Sequence, residues 1–440
     1  MYRKIIDYLM DKDLAIVGFG KEGKSTYHFI RKYLNDKKIT IIDNNEKLLE
    51  DNNYLGVDKN LELILGTHAL EHLEKYDLII KAPGVRFKDI DVSPFKDKIT
   101  SQLGLILEFY KNNIIGITGT KGKSTTTSLV YNILKDQGFD AYLLGNIGIP
   151  IFDYVDNFKD DSLLVIEMAA LQLEYVKASP HIGIILNLFE EHLDFFGSLD
   201  KYYLAKMNMF KYQDSNDYGL YLSSNSALNN YVGKGHYKCK LVDISKMEVI
   251  DNYFVLDGKK LYNINDERLL LGKHNLSNIR FGLYLSELLN LDLDKTIYTI
   301  NHFKGLEHRM EYVGEYDGIK YYNDAIATIP EACINACDTL NPDTIIFGGM
   351  DRGIDYSSLI NYFNKCSIKN FICMPETGYK IGDKLINKKI YKVDNLKDAV
   401  KRAKEVSEKI CVMSPAAPSY NAFKNFEEKG KMYKNYIKEG

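Results

Sequence analysis

The segment GITGTKGKSTT, residues 116–126, constrains the fold of this chain more than any other stretch. An apolar run leads into it and a helical pattern follows it, which predicts a strand, a glycine-rich turn and a helix. Backbone amides freed by the glycines can surround a polyphosphate, and Lys123 can neutralise its outer oxygens. The hydroxyl of Ser124 or Thr125 can hold Mg²⁺, and the helix N-terminus adds a positive dipole. The segment predicts a nucleoside triphosphate site, with an ordinary turn as the alternative.

Length and charge narrow the class of protein further. A chain of 440 residues is too long for one core, so two to three domains are expected. The net charge of −3 disfavours a nucleic-acid partner. The six cysteines form no C-x-x-C pair, which is typical of a reducing compartment. No apolar run reaches the roughly 18 residues of a membrane helix, so we expect a cytoplasmic protein without membrane insertion.

Apolar strand-like runs alternate with helical patterns in three blocks. This alternation predicts an α/β fold with parallel, doubly wound sheets. The predicted domains comprise residues 1–108, 109–305 and 306–440. Residues 220–270 contain few strand signals, and the sequence does not predict how they pair. The predicted strands lie at residues 14–20, 39–43, 76–84, near 99, 162–167, 182–187, 319–324, 343–349, 370–374 and 409–415.

The first block carries a dinucleotide-type fingerprint. Gly18, Gly20 and Gly23 follow the first strand and open a helix, and Asp43 ends the next strand. NAD is one ligand that this pattern accommodates, but the chain shows no hydride-transfer site. A sugar nucleotide is another, with Asp43 near its uridine and the Ala82-Pro83-Gly84 turn lining the same crevice, and a tight turn without a ligand is the remaining alternative.

Two further residues follow strands of the second block. Glu167 ends the strand SLLVIE, where a carboxylate beside a phosphate turn is a usual Mg²⁺ ligand. The alternative is a solvated acid at a strand end. His192 follows the strand IGIILN, and it is either a functional residue or a structural histidine.

Lys206 lies in the middle of an apolar helical stripe formed with Leu199, Tyr203 and Phe210. A buried lysine is costly unless it is paired or deprotonated, although its amine can instead reach water at the end of a buried stem. A desolvated neutral amine can add carbon dioxide. The resulting carbamate would offer oxygen to a second Mg²⁺.

Weaker clusters lie in the last third of the chain. The helix-opening segment 272–278 offers amides suited to an adenine or a phosphate. Arg309 can reach a γ-phosphate, and Asp324 can accept a hydrogen bond from a ribose. Arg352 follows a strand, where it would suit a carboxylate or be simply solvated. The segment SPAAPSYNAFKNFEEKG, residues 414–430, forms a turn into a helix.

These segments together resemble the Mur ligases, ATP-dependent amide-forming enzymes of peptidoglycan assembly. The resemblance covers essentially the whole chain. It implies a Rossmann-like UDP-binding domain, a central ATP-binding domain and a Rossmann-like amino-acid-binding domain. It also implies UDP-N-acetylmuramoyl-L-alanine, glutamate and ATP as substrates, two Mg²⁺ ions and a monomer. The segments that carry it are GTKGKSTT, EMAALQLE, NLFEEHLD, YYLAKMNMF, KHNLSN, HRME, the Asn-Asp pair at 323–324 and SPAAPSYNAFKNFEEKG.

The resemblance assigns roles to individual residues. Those implied for catalysis are Lys123, Lys206 and His192. Those implied for ATP binding are Gly119, Thr120, Lys121, Gly122, Lys123, Ser124, Thr125, Asn275, Asn278, Arg309 and Asp324. Those implied for Mg²⁺ are Ser124, Glu167, His192 and carbamylated Lys206. Those implied for the UDP substrate are Gly18, Gly20, Asp43, Pro83, Gly84, Asn146 and His192. Those implied for the amino acid are Thr328, Arg352, Ser419 and Phe426.

Two residues depart from the family pattern. Better-studied members read NDSKAT where this chain reads NDAIAT, so Ile326 replaces a pocket lysine. Arg352 replaces the usual lysine of a GG-x-x-K loop. The expected amino acid is D-glutamate, and the alternatives are L-glutamate in the same reaction or another amide ligase of the Mur or folylpolyglutamate type.

Overall fold

Four β-sheets organise the described part of the chain, which comprises residues 2–87, 90–145, 149–191 and 193–439 of the computed structural model. Three sheets are built mainly from parallel strands, which confirms the predicted α/β class. The strands are β1 Leu14–Val17, β2 Ile39–Asp43, β3 Leu61–Leu65, β4 Leu78–Lys81, β5 Ile99–Thr100, β6 Ile114–Thr118, β7 Ala141–Gly145, β8 Leu163–Glu167, β9 Ile182–Ile185, β10 Tyr218–Tyr221, β11 Lys240–Asp243, β12 Glu248–Ile250, β13 Tyr253–Leu256, β14 Lys259–Asn263, β15 Glu311–Tyr316, β16 Ile319–Asn323, β17 Thr344–Gly349, β18 Asn370–Glu376, β19 Lys389–Lys392 and β20 Ile410–Met413.

The helices fill the connections between these strands, as a parallel sheet requires. They are α1 Arg3–Met10, α2 Lys21–Tyr33, α3 Leu48–Asp51, α4 Gln102–Tyr110, α5 Lys123–Asp136, α6 Ala170–Leu173, α7 Leu193–Phe196, α8 Leu199–Lys211, α9 Ser226–Lys234, α10 Asn275–Leu288, α11 Leu293–His302, α12 Pro330–Leu340, α13 Ser357–Lys365, α14 Thr377–Gly382, α15 Leu396–Val406 and α16 Phe426–Lys438. None of the described helices is long and apolar enough to cross a membrane.

The first sheet has the strand order β3-β2-β1-β4-β5, and its paired strands run parallel. Every residue of β1 is buried, because helices cover both faces of such a sheet. The chain order reverses at β1, so the turns that follow β1 and β4 meet at one edge. The backbone N–H of Ala82 donates to the carbonyl of Val17 there, at 2.8 Å. The predicted nucleotide crevice of the first block therefore lies at a topological switch point.

The central sheet has the order β11-β10-β9-β6-β8-β7. Strand β6 pairs in parallel with β9 on one side and with β8 on the other. The glycine-rich segment follows β6 directly, so it lies at the carboxyl edge of the sheet, between β8, which ends in Glu167, and β9, which is followed by Leu186 and Asn187. This is the position where ligands bind in open parallel sheets.

Residues 220–270 carry more structure than the sequence predicts. Strands β10 and β11 extend the central sheet in parallel, whereas β12, β13 and β14 form a separate antiparallel sheet. Asp251 and Asn252 both have positive φ, 50° and 66°, at the turn between β12 and β13. Two residues with positive φ are typical of a primed hairpin turn, and Asp and Asn are residue types that tolerate this conformation. The Asp-Asn pair was therefore the sequence signal for this hairpin.

The third sheet has the order β15-β16-β20-β17-β18-β19. It differs from the parallel prediction at one edge, where β15 and β16 pair antiparallel. Asp317 and Gly318 form the connecting turn with φ of 51° and 77°. An Asp-Gly pair between two alternating strands favours a hairpin over a helical crossover.

The chain divides into two compact units. One comprises Met1–Ile264 with Asn278–Ile297 and contains the first, central and antiparallel sheets. The other comprises Asn265–Ser277 with Tyr298–Gly440 and contains the third sheet. The predicted division into three domains, with boundaries at 108/109 and 305/306, stays a prediction.

Candidate active site

The glycine-rich segment has the predicted strand–turn–helix form. Strand β6 ends at Thr118, and α5 begins at Lys123. Gly122 caps α5 in the left-handed conformation, with φ of 85°. A side chain there would approach Oδ1 of Asn278 to 2.7 Å, so the position favours glycine. Asn278 also accepts a hydrogen bond from Oγ1 of Thr126 at 3.1 Å, which brings this predicted ATP residue against the turn.

Asn187 holds the turn in place, and the sequence analysis missed it. Its Oδ1 accepts hydrogen bonds from the backbone N–H groups of Thr120 (3.1 Å) and Lys121 (2.9 Å). Its Nδ2 donates to the carbonyl of Lys121 at 3.0 Å. The available signal was its place directly after strand β9 in the motif IGIILN, at the same sheet edge as the turn.

Lys123 folds back over the turn. Its Nζ donates to the carbonyl of Gly119 at 3.0 Å and to that of Thr120 at 2.9 Å. These acceptors are neutral, whereas a phosphate oxygen would be a charged and therefore stronger acceptor. The geometry places the ammonium group where it can exchange the carbonyls for a polyphosphate.

Lys206 is buried beside the same turn, with 1% of its surface exposed. Its Nζ donates to the carbonyl of Gly119 at 2.8 Å and lies 4.8 Å from the centre of the Tyr202 ring. Burial and, to a smaller extent, the neighbouring Lys123 lower the pKa of Lys206 to about 7, against the opposing effect of Glu191 and Glu167. The expected burial on an apolar stripe is confirmed, and the alternative of an amine reaching water is wrong. Carbamylation stays a prediction.

Glu167 ends β8 and is fully buried, with 0% exposure. It pairs in register with Ile117 of β6, one residue before the end of that strand. The alternative of a solvated strand-end acid is therefore wrong. Ser124, the second residue of α5, is partly buried, and Thr125 beside it is buried. His192 and Asn146 lie outside the described residues.

The predicted nucleotide crevice of the first block brings together the turns that carry Gly18, Gly20, Asp43, Pro83 and Gly84. Asp43 accepts hydrogen bonds from the backbone N–H of Phe19 (2.6 Å) and of Asn45 (2.8 Å). The acid therefore ties the turn after β1 to the turn after β2. Gly18 packs against the turn after β4, since a side chain there would come within 2.5 Å of Val85. Gly20 caps α2, and Pro83 and Gly84 lie in the facing turn.

In the second unit, Asp324 is a buried acid next to Arg309. Its Oδ2 accepts from Oγ of Ser414 at 2.7 Å, and its Oδ1 accepts from the N–H of Met310 at 3.2 Å. Burial raises the pKa of Asp324 to about 7, although these hydrogen bonds and Arg309 act in the opposite direction. Arg309 itself is exposed. Asn275 begins α10 and donates to the carbonyl of Leu271 at 2.6 Å.

Of the predicted amino-acid residues, Arg352 lies on the loop that follows β17, and Ser419 lies on a segment that contacts this loop. The guanidinium of Arg352 lies 5.4 Å from the centre of the Tyr420 ring, next to Ser419. The Oγ of Ser419 is buried and has no hydrogen-bond partner among the described residues, so it can serve a ligand. Phe426 begins α16 and packs edge-on to His308 at 6.1 Å, and Thr328 lies just before α12. The structure thus brings the loop of Arg352 against the segment of Ser419, through the contact of Arg352 with Tyr420.

A carboxylate–histidine cluster at Glu307, His308 and Glu311 has the spacing of metal ligands. The ammonium of Lys434 lies 2.6 Å from Oε1 of Glu307 and 2.8 Å from Oε1 of Glu311. The protein therefore supplies its own cation here, and we assign no metal to this cluster.

Comparison with known proteins shows the family to which the chain belongs. The Mur ligase middle domain matches residues 117–285, and the MurD-like N-terminal domain of Mur ligases matches residues 12–101. The UDP-N-acetylmuramoylalanine--D-glutamate ligase of Clostridium botulinum strain Hall is 33% identical, over 99% of this chain and 98% of the relative. The chain belongs to the Mur ligase family.

Solved structures show the same fold. The UDP-N-acetylmuramate-alanine ligase MurC from Thermotoga maritima matches with a TM-score of 0.56 and 18% identity, covering 97% of this chain and 99% of that one. The MurF ligase from Thermotoga maritima in complex with ADP matches with a TM-score of 0.52 and 18% identity, covering 82% and 89%. At this identity the likeness concerns the fold.

Proposed function

We propose that this protein joins D-glutamate to UDP-N-acetylmuramoyl-L-alanine, with conversion of ATP to ADP and phosphate. The observation that carries the proposal is the full-length similarity to D-glutamate ligases, in which 33% of residues are identical. The turn after β6 supports it, because two lysines meet there at one carbonyl. The reaction supplies the cell with a peptidoglycan precursor.

The chemistry requires two anions to meet. The carboxylate of the UDP-linked substrate attacks the γ-phosphate of ATP and gives an acyl phosphate, with ADP as the leaving group. The amine of glutamate then attacks the acyl carbon, and phosphate leaves. Lys123 would exchange the carbonyls of Gly119 and Thr120 for phosphate oxygens and reduce the repulsion. Most of the rate enhancement then comes from positioning and electrostatics.

The residues near the turn fit a divalent metal. Glu167 offers a fully buried carboxylate, and Ser124 offers a hydroxyl at the start of α5. Oxygen ligands of this kind suit Mg²⁺, which when bound would screen the phosphate charges. We propose Ser124, Glu167 and His192 as the residues that hold or support it.

Lys206 would contribute to the same site as a carbamate. Its amine is buried, and its pKa is lowered to about 7, so a neutral form is available near neutral pH. Addition of this amine to carbon dioxide forms an N–C bond and releases a proton. The product offers carboxylate-like oxygens in place of an ammonium, and we propose that it supports a second Mg²⁺.

The remaining proposed binding residues follow the resemblance to the Mur ligases. Arg309 and Asp324 of the second unit, together with Asn275 and Asn278, are proposed ATP residues. Gly18, Gly20, Asp43, Pro83, Gly84 and Asn146 are proposed for the UDP substrate. Thr328, Arg352, Ser419 and Phe426 are proposed for the amino acid. Monomeric state and cytoplasmic location stay predictions.

L-Glutamate is a second candidate for the incoming amino acid. Ile326 occupies the position of a pocket lysine, and Arg352 occupies that of the loop lysine. Arginine binds a carboxylate through a planar fork rather than a point charge, so the two carboxylates of the ligand would be held differently. This difference bears directly on which enantiomer presents its amine correctly.

One assay separates these possibilities. Phosphate release is measured with ATP, Mg²⁺ and UDP-N-acetylmuramoyl-L-alanine, in parallel with D-glutamate, L-glutamate and other amino acids. We expect release only with glutamate and only with the UDP-linked acceptor. Release with a folate acceptor instead, or with no acceptor at all, would contradict the proposal. Binding of NAD(H) would indicate an oxidoreductase role for the first block.

A further inference from the structure

Lys429 is a buried lysine that the reaction scheme above does not use. It lies in the first turn of α16 with 1% of its surface exposed. Its Nζ donates to the carbonyl of Gly348 at 3.0 Å and lies 5.9 Å from the centre of the Phe423 ring. Among the described residues, no carboxylate forms an ion pair with it, and burial lowers its pKa to about 7. A lysine held this way is costly to bury, which suggests a role beyond packing.

The acceptor of Lys429, Gly348, is the penultimate residue of β17 and precedes the loop that carries Arg352. Gly348 has φ of 117°, and a side chain there would come within 2.6 Å of the carbonyl of Met374. The N–H of Gly348 donates to the carbonyl of Pro415 at 2.9 Å. Both polar groups of one glycine are therefore bound, and its unusual conformation directs the carbonyl toward Lys429. Gly348 is therefore one fixed point at the start of the segment that leads to Arg352.

The same loop is tied to the segment that carries Ser419. The N–H of Met350 donates to the carbonyl of Pro418 at 2.8 Å. The N–H of Phe423, whose ring neighbours the Lys429 ammonium, donates to the carbonyl of Ser419 at 2.9 Å. Lys429 therefore contacts both segments that supply the proposed amino-acid pocket, through Gly348 and through Phe423.

Helix α16 is itself fixed at this end. Gly430 packs so closely on His308 that an added side chain would come within 2.2 Å of Nδ1. Asn323 donates from Nδ2 to the carbonyl of Gly430 at 3.4 Å and to Oε2 of Glu311 at 3.0 Å. The close contacts of Gly430 with His308 and Asn323 therefore restrict movement of this end of α16, which carries Lys429. A rigid support is what a precise binding pocket requires.

We propose that Lys429 is a positioning residue for the amino-acid pocket: its ammonium holds the Gly348 carbonyl and so orients the loop that presents Arg352 to the ligand. This role rests on the proposed function. It predicts that loss of the ammonium weakens amino-acid binding specifically. A purely structural role predicts instead a loss of stability with no preference among the three substrates.

The test compares Lys429→Met with Lys431→Met, which removes an exposed lysine from the same helix. The KM values for glutamate, ATP and the UDP-linked acceptor are measured, each with the other two substrates saturating. We expect Lys429→Met to raise the KM for glutamate by about tenfold or more, because a charged hydrogen bond to the loop is lost. The KM for ATP should change by less than about twofold, as should all values in Lys431→Met.

An unchanged KM for glutamate in folded Lys429→Met would overturn the proposal. An equal rise in all three KM values, or a fall in kcat alone, would also overturn it. If the methionine variant does not fold, Lys429→Gln is used; its uncharged and shorter side chain loses the charged hydrogen bond to Gly348, so the same glutamate-specific rise is expected. Absence of any phosphate release by the parent chain would instead contradict the proposed function, so the two failures are distinguishable.

Discussion

At the residue scale, the central feature is the carbonyl of Gly119, which accepts from two lysines. Lys123 and Lys206 donate to it at 3.0 and 2.8 Å. Burial and, to a smaller extent, repulsion from the Lys123 ammonium lower the pKa of Lys206 to about 7, so it loses its proton more easily than an ordinary lysine. A neutral amine at Lys206 is therefore available near neutral pH, beside the lysine that we propose for phosphate.

Removal of Lys123 should therefore abolish most of the activity. We expect Lys123→Ala to lower kcat by at least about 10²-fold, the order found for loss of one preorganised charge-stabilising group. Phosphate release under saturating substrates is the measurement. Lys135→Ala, which removes an exposed lysine from the last turn of the same helix, is the matched control. Turnover near that of the parent in Lys123→Ala would remove this residue from the phosphate site.

Asp324 gives a prediction about stability and pH. Its pKa is raised from 3.8 to about 7 in the folded chain, so the folded state binds more protons than the unfolded state between these values. Stability of the parent should therefore fall as pH rises through this window. Asp324→Asn removes the titration, and its stability relative to the parent should rise from about pH 4 to about pH 7.

Thermal unfolding followed across this pH range is the measurement for Asp324→Asn. Asp317→Asn, at the β15–β16 turn of the same unit, serves as the control and should follow the parent. Parallel curves for the parent and Asp324→Asn would show that the buried acid does not titrate in this window. The unfolding temperatures of Asp324→Asn and the parent are compared at each pH, because a chain of two units need not unfold in one step.

At the element scale, the turn between β6 and α5 depends on the end of β9. Asn187 makes hydrogen bonds to the backbone of Thr120 and Lys121 through both ends of its amide. Asn187→Ala should raise the Kd for ATP by about tenfold or more, because the turn loses bonds that are each worth about 1 kcal/mol. Titration calorimetry with ATP and Mg²⁺ is the measurement.

The control for Asn187→Ala is Asn132→Ala, which removes a hydrogen bond within α5 away from the turn. We expect its ATP affinity to match that of the parent. Equal affinities for Asn187→Ala and the parent would mean that the phosphate turn keeps its shape without support from β9.

At the scale of the whole molecule, the sequence predicts those strands, helices and turns that are determined by local hydrophobic periodicity and turn residues. Strands such as Ile39–Asp43 and the strand–turn–helix at 116–126 are found as predicted, because their signals are local. The helical spacing of Lys206 allowed either a buried amine or an amine that reaches water, and the structure shows the buried amine. Contacts between residues far apart in the chain could not be predicted, because no local sequence pattern indicates them.

Asn187 and Lys429 show why these contacts were missed. Asn187 contacts Lys121, 66 residues away, and Lys429 contacts Gly348, 81 residues away. In both cases a polar side chain satisfies a backbone group of a distant turn, so the sequence shows only an ordinary asparagine and an ordinary lysine. The hairpins at β12–β13 and β15–β16 did have a local signal, the turn residues Asp251-Asn252 and Asp317-Gly318, but the sequence did not predict their pairing.

The central claim is that the chain forms an amide between glutamate and a UDP-linked muramyl acceptor at the expense of ATP. The most direct measurement is the amount of lengthened UDP-linked product, determined by mass spectrometry, against the amount of phosphate released in the same reaction. We predict equal amounts of the two, with both absent when glutamate is omitted. Phosphate released without lengthened product, or no ATP turnover at any Mg²⁺ concentration, would contradict the claim.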